Sequence, residues 1–358
     1  MLIPKTYKKC KDRFNYRGVI DGQERQVKRV SDLIDEIKID EIDAKILKTL
    51  LKESRTSFTN MAKMCGITVG AVRMRYHRLR KEGIIVGEMI QVNPYCLGFK
   101  CVADLGIMTA KENEEEVGRF LKNKPNLTHI VIAANKYSFW AKVVLHDIQE
   151  LNGVIAELES NPLIRHVDTF IWDETAFLDH PENLIIKPLK KEEGEKGAVS
   201  FFEGCKEKQI DDTDRQIAKI LTKNSRVPFR KIAEQLGIST KNVIQRYHKL
   251  RKNVLTYSSI VIDLNKLGYN AWGHLFVKAA NRSKMPEIYA QMLQIPNLIV
   301  AIRYIGAYDL YATVALENYE EMFNLTEYMR KVQNIERTDL FLGRVWPVWP
   351  INLFSQLL

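Results

Sequence analysis

The chemistry most plainly written into this sequence is the capture of a polyanion. Thr68-Val-Gly-Ala-Val-Arg-Met-Arg-Tyr-His-Arg-Leu-Arg-Lys81 carries five cations and no acid. Ser239-Thr-Lys-Asn-Val-Ile-Gln-Arg-Tyr-His-Lys-Leu-Arg-Lys252 repeats the pattern 171 residues later. Val72, Tyr76 and Leu79, and again Val243, Tyr247 and Leu250, fall at helical spacing, so each stretch predicts a helix with one packing seam and cations elsewhere. Thr68 and Ser239 stand where a hydroxyl caps a helix and where free backbone N–H groups can meet a phosphate. Arg73 and Met74 in one stretch, and Lys241, Asn242 and Gln245 in the other, are placed to reach base edges. Arginine suits guanine, and asparagine or glutamine suits adenine. Arg75, Arg78, Arg80, Arg246, Lys249 and Arg251 are expected to stand unpaired and hold phosphates. The two helices therefore predict two different base preferences.

Other chemistries find less support. Cys10, Cys65, Cys96, Cys101 and Cys205 are odd in number and form no Cys-x-x-Cys pair, so reduced thiols in a cytoplasm are expected rather than a zinc site or disulfide framework. His77 and His248 share a position but lack a second ligand at metal spacing. No metal, cofactor or catalytic residue is expected. The net charge of +10 and pI of about 9.2 favour nucleic acid or an acidic membrane face. No apolar run approaches the roughly 20 residues that span a bilayer, and the basic N-terminus has no apolar core behind it, so neither a membrane span nor a secretory signal is expected, and no membrane is expected as a partner.

The elements that must position these helices read as a tandem repeat. Residues 1–38 form a basic extension with a helical stripe at Val27, Val30, Leu33, Ile34 and Ile37. Residues 39–100 form a first helix-turn-helix domain: Asp40 caps a helix to Lys52, Phe58 to Met64 is a short helix, and Gly66 turns the chain into Thr68–Lys81. Ile84 to Val86 reads as a short strand, making the domain winged. Residues 101–178 follow the order β-α-β-β-α-β, a ferredoxin-like domain. Residues 179–209 look like a linker, with Pro181, Pro188 and a charged run at 190–197. Residues 210–270 and 271–358 repeat both domains, with about 20 of some 43 helix-turn-helix positions identical. Trp346, Trp349 and Phe354 lie in a tail without a counterpart. The fold class is α+β, with two tandem units.

These features resemble the Lrp/AsnC, or leucine-responsive, family of prokaryotic transcription regulators. The resemblance rests on Ile39-Asp40-x-x-Asp43, Val72-x-x-Arg75-x-x-x-Leu79, Glu82-Gly-Ile-Ile85, Asn93-Pro94-x-x-Leu97-Gly98, Leu267-Gly268 and the loop Gly306-Ala-Tyr-Asp309. It implies double-stranded DNA as partner, an effector and dimerisation domain after each helix-turn-helix, and amino-acid binding near Gly306, Tyr308 and Asp309. In the first copy that loop is Asn135-Lys-Tyr-Ser138, which departs from the family pattern. The family usually carries one unit per chain. Two units imply an intrachain pseudo-dimer, further self-association, and an imperfect palindrome as target. Siroheme decarboxylases look like the same family, and that alternative would place a tetrapyrrole near His129, His146 and His166. A weakly specific architectural DNA-binding protein is the third reading.

Overall fold

The computed structural model describes residues 38–133, 136–173, 178–189, 210–345 and 348–358. The stripe at 27–37, the connector beyond Leu189 and Trp346 lie outside them. Helix α1 (Glu41–Lys52) opens on a closed capping box. Asp40 accepts the Asp43 N–H at 2.8 Å, and Asp43 accepts the Asp40 N–H at 3.2 Å. Helix α2 (Phe58–Cys65) ends at Gly66, whose φ of 66° lets the chain swing into α3 (Val69–Lys81). The buried seam of α3 is Val72, Tyr76 and Leu79, as the spacing requires.

Strand β1 (Ile85–Val92) is longer than the expected wing. The β-α-β-β-α-β order then appears in full: β2 (Cys101–Thr109), α4 (Glu114–Lys122), β3 (Leu127–Ile132), β4 (Phe139–Leu145), α5 (Gln149–Glu159) and β5 (Ile164–Trp172). The second unit repeats it with α6 (Asp212–Lys223), α7 (Phe229–Leu236), α8 (Thr240–Arg251), β6 (Leu255–Ile262), β7 (Ala271–Ala279), α9 (Met285–Met292), β8 (Leu298–Gly306), β9 (Leu310–Leu316), α10 (Tyr319–Lys331) and β10 (Ile335–Arg344).

The halves are joined in two places. First, β1 and β6 pair antiparallel with each other, so neither forms a hairpin wing within its own domain. Each strand thereby satisfies its backbone groups on its counterpart. Second, β5 and β8 pair at Phe170–Gly306, Ile171–Ile305 and Trp172–Tyr304, fusing the two ferredoxin-like sheets into one eight-stranded sheet of order β10-β7-β9-β8-β5-β2-β4-β3. Gly306 sits at this seam with φ 153°, and a Cβ there would lie 3.0 Å from the Thr169 carbonyl oxygen. Helices α4 and α5 cover one outer face and α9 and α10 the other, each over its own apolar core. The remaining faces share an aromatic cluster in which Trp140 stacks on Phe170 at 5.1 Å and Phe276 meets Tyr311 at 5.0 Å.

The two helix-turn-helix domains are also clamped together reciprocally. Arg55 donates to the carbonyls of Ser225 and Val227 and lies 4.0 Å from the Phe229 ring. Arg226 donates to the carbonyls of Ser54 and Thr56 and lies 5.0 Å from Phe58. Ser54 and Ser225 share a buried hydrogen bond of 2.6 Å between them. Arg226→Ala removes a charged donor from two carbonyls together with its ring contact. We expect a loss of about 2 kcal/mol, read as a lowered urea midpoint at unchanged m-value.

Candidate nucleic-acid interface and central cavity

Both predicted helix starts form as expected. Thr68 accepts the Ala71 N–H at 3.1 Å and Ser239 accepts the Asn242 N–H at 3.2 Å. The expectation of unpaired cations needs correction. Arg75 pairs with Asp40 at 2.6 Å and Asp43 at 2.9 Å, and Arg78 pairs with Asp43. Arg246 pairs with Asp211 at 2.6 Å and Asp214 at 2.7 Å, and Lys249 with Asp214 at 2.9 Å. Arg80 pairs with Glu88, and Arg251 with Glu53 at 2.9 Å and with the carbonyls of Leu255 and Thr256. The acids come from other elements, 32 to 35 positions away for the Asp43 and Asp214 pairs, so a stretch without an acid is not a stretch without partners. Arg75, Arg78, Arg246 and Lys249 hold each recognition helix on the first helix of its own domain, whereas Arg80 ties α3 to β1 and Arg251 ties α8 to β6 and to Glu53 of the first unit. The Arg246 hydrogen bond in turn keeps the Asp211 carboxyl below the usual carboxylate range. Arg78, Arg80 and Lys249 keep 40%, 40% and 61% of their side chains exposed, so they remain within reach of a second anion.

What faces outward is a shorter set. Arg73 and Met74 are exposed on α3, and Lys241 and Gln245 on α8. Among the described residues no hydrogen bond or ion pair holds Arg73, Lys241 or Gln245. Asn242 is half-buried and accepts from Arg246 Nε at 2.9 Å, so it positions that arginine instead of standing free. Gly70 and Ala71 offer no reading group in the first helix where Lys241 and Asn242 stand in the second.

The Gly306–Asp309 loop is committed to the fold. Asp309 is buried, accepting from the Ala279 N–H at 3.0 Å and from Arg282 Nε at 2.7 Å, with Lys278 at 3.3 Å. The Tyr308 hydroxyl donates to Asp339, as the Tyr137 hydroxyl does to Asp168 at 2.7 Å in the first copy. Among the described residues Cys65 and Cys101 are free thiols, and Cys10 and Cys205 lie outside them.

Between the two halves of the large sheet lies a cavity of about 320 Å³. Its walls include Trp140, Trp272, Phe276 and Phe341, with His129, His274, Asp104, Lys142, Asp179 and Arg344 among the polar groups. Asp104 is fully used: Lys142, Trp172 Nε1 at 2.7 Å and the Tyr304 hydroxyl at 2.5 Å all donate to it. His274 Nδ1 lies 2.8 Å from the Tyr311 hydroxyl. Burial pushes both His129 and His274 down to about 4, with Lys142 adding to the effect at His129. Both are neutral at pH 7.

Of the three histidines named for a tetrapyrrole, only His129 lines the cavity. His146 stacks on Phe99 at 4.3 Å, and His166 is exposed beside Glu159 and Asp168. His274 was missed, because attention to histidines in one copy overlooks a site shared by two. Overlaying the strands would have found it: position four is Asp104 in β2 and His274 in β7, and Lys142 in β4 and Thr313 in β9.

Residues 39–80 and 210–251 each match the AsnC-type helix-turn-helix domain. The regulatory protein AsnC of Haemophilus influenzae is 32% identical over 119 residues, which are 33% of this chain and 79% of that protein. The transcriptional regulator LrpA of Pyrococcus horikoshii is 36% identical over 118 residues, 33% of this chain and 84% of that one. Among solved structures, the siroheme decarboxylase NirDL superposes with a TM-score of 0.60 at 16% identity, over 88% of this chain and 96% of its own. That likeness is one of fold.

Proposed function

Since this chain belongs to the Lrp/AsnC family of transcription regulators, we propose that it binds double-stranded DNA as an intrachain pseudo-dimer and reads an imperfect palindrome. The observation that carries this reading is the contrast within the two recognition helices. The frame is repeated: cap, seam and the Asp–Arg pairs recur in both. The outward positions differ, with Arg73 and Met74 in one and Lys241 and Gln245 in the other. A solvated charged face has no need to keep the frame while changing the reading edge. In solution this predicts two dissimilar half-sites about one helical turn apart, or a multiple. Selection of bound duplexes from a random pool tests it. Recovery of a two-part motif supports it, and enrichment of no motif at any salt concentration favours the architectural alternative.

The proposed role is regulatory and not catalytic. The decarboxylase alternative has one observation in its favour, the cavity at the junction of the halves with His129 in its wall. The residues do not fit the ligand. A uroporphyrin-type macrocycle carries eight carboxylates, and a cavity of about 320 Å³ lies at the small end of ligand sites. Its buried cation, Lys142, is already neutralised by Asp104. Nor is an amino-acid effector at Gly306–Asp309 part of this proposal, because Arg282 and Lys278 already occupy the Asp309 carboxylate. A cytoplasmic location is in keeping with a DNA-binding role, and no helix among the described residues is long and apolar enough to cross a membrane.

A further inference from the structure

We propose that the cavity between the two sheet halves binds a small, neutral, planar aromatic molecule, and that the C-terminal strap at residues 349–353 carries its presence to the DNA-binding domains. The regulatory half of this inference rests on the reading above; the binding half does not.

Three observations support a built site. The first is that the cavity is kept open where the repeat shows it could be filled. The first copy packs Trp172 against Asp104; the equivalent position in β10 is Gly343, and a Cβ there would lie 2.4 Å from His274 Nε2. The glycine makes room for the imidazole at the wall. The second is that the polar lining departs from the repeat. Asp104 faces His274 in the overlay, Lys142 faces Thr313 and His129 faces Val300, so the groups differ between the copies while the strands that hold them match. A merely structural junction of two like sheets would be expected to keep like residues.

The third is the charge balance, which selects the ligand. The Asp104–Lys142 pair cancels, and both imidazoles are uncharged hydrogen-bonding groups set among indole and phenyl rings. An anion placed there would lose its hydration beside Asp179, whose buried carboxyl also lines the cavity. A flat aromatic body with an N–H, O–H or carbonyl group suits the rings and imidazoles together.

The strap supplies the connection. Trp349, Ile351 and Leu353 line the cavity. The same segment bonds the DNA-binding side: Trp349 exchanges backbone bonds of 2.8 and 2.9 Å with Ile262 at the end of β6, and Gln91 of β1 donates to the Ile351 carbonyl at 2.6 Å. Asn352 donates at 3.1 Å to the carbonyls of Ile90 in β1 and Thr222 in α6. An occupant that shifts this wall shifts the ribbon and the second helix-turn-helix with it.

The test uses the full chain and a matched pair of fluorescent probes, neutral N-phenylnaphthylamine and its sulfonated analogue anilinonaphthalene sulfonate. The expected result is saturable binding of the neutral probe at one per chain, with quenching of tryptophan fluorescence, and binding of the sulfonate at least about tenfold weaker. Val300→Trp, which fills the cavity, should abolish neutral-probe binding. Equal binding of the two probes overturns the site, as does undiminished binding to a folded Val300→Trp. If that variant fails to fold, the comparison of probes on the unmodified chain still decides. The second arm measures affinity for a selected duplex with and without the neutral probe. A change of roughly fivefold or more is expected, and it should shrink in Asn352→Ala while probe binding persists. An unchanged DNA affinity under saturating probe overturns the strap. A chain that binds the probe but no duplex overturns the regulator reading and leaves the cavity site standing.

Discussion

Asp43→Ala should loosen the first DNA-binding domain by about 3 kcal/mol. Asp214 holds Arg246 and Lys249 without closing a capping box, so Asp214→Ala should loosen the second by about 2 kcal/mol. Asp43 is fully buried, closes the capping box of α1 and accepts from both Arg75 and Arg78 on α3. Removing it takes away about 1 kcal/mol of capping and two bonds from charged donors. The recognition helix then loses its orientation before the domain loses its core. Thermal unfolding should show the lowered stability, and DNA affinity should fall for every sequence alike. Arg75→Ala separates this account from the phosphate-holding one. Because Arg75 points at Asp40 and Asp43, its loss should leave the salt dependence of DNA binding unchanged. A slope reduced by about one would show that Arg75 does hold a phosphate. Arg73→Ala and Lys241→Ala, on residues that face outward, are the changes expected to alter binding at unchanged stability.

The second large effect concerns acid. His129 and His274 have folded-state pKa values of about 4 against an ordinary 6.5. Between those values the unfolded chain binds protons that the folded chain does not. Their contribution is therefore complete above about pH 6.5 and is lost as the pH falls toward 4. At pH 5 each histidine costs about 1–2 kcal/mol, allowing for the surface that both keep. Asp179 works in the opposite sense. Burial raises its carboxyl to about 7, so protonation on going from pH 7 to 5 restores stability. The clean comparison is therefore between chains. His129→Gln with His274→Gln should gain about 2–4 kcal/mol relative to the unmodified protein between pH 7 and pH 5, read from urea unfolding at each pH. Parallel pH profiles for the two chains would mean that these imidazoles are not held neutral.

Much of this architecture could be read from local pattern. The recognition helices end within a residue of their expected bounds, because cap, seam and Gly turn all lie within a few positions of one another. The β-α-β-β-α-β order followed from the change of hydrophobic period. What escaped was long-range. Asp43 stands in the family-like Ile-Asp-x-x-Asp pattern, and nothing local shows that its two oxygens anchor Arg75 and Arg78. Strand β1 looked like half of a wing, since alternation marks a strand without naming its partner. Gly306 and Asp309 looked like a turn with a ligand-binding flavour; the fold spends the glycine on the sheet seam and the carboxylate on Arg282. The cavity was invisible for the same reason, being assembled from strands of both copies.

The central claim is that the two halves of the target are read by different outward residues on equivalent frames. It is tested most directly by grafting the second reading edge onto the first helix: Gly70→Lys, Ala71→Asn, Arg73→Ile and Met74→Gln. Gly70 has no neighbour closer than 3.9 Å to a new Cβ, so the graft meets no obstacle there. Duplexes selected from a random pool by the grafted chain should carry a symmetric motif, both halves matching the half-site read by α8. An unchanged, still asymmetric motif would contradict the account.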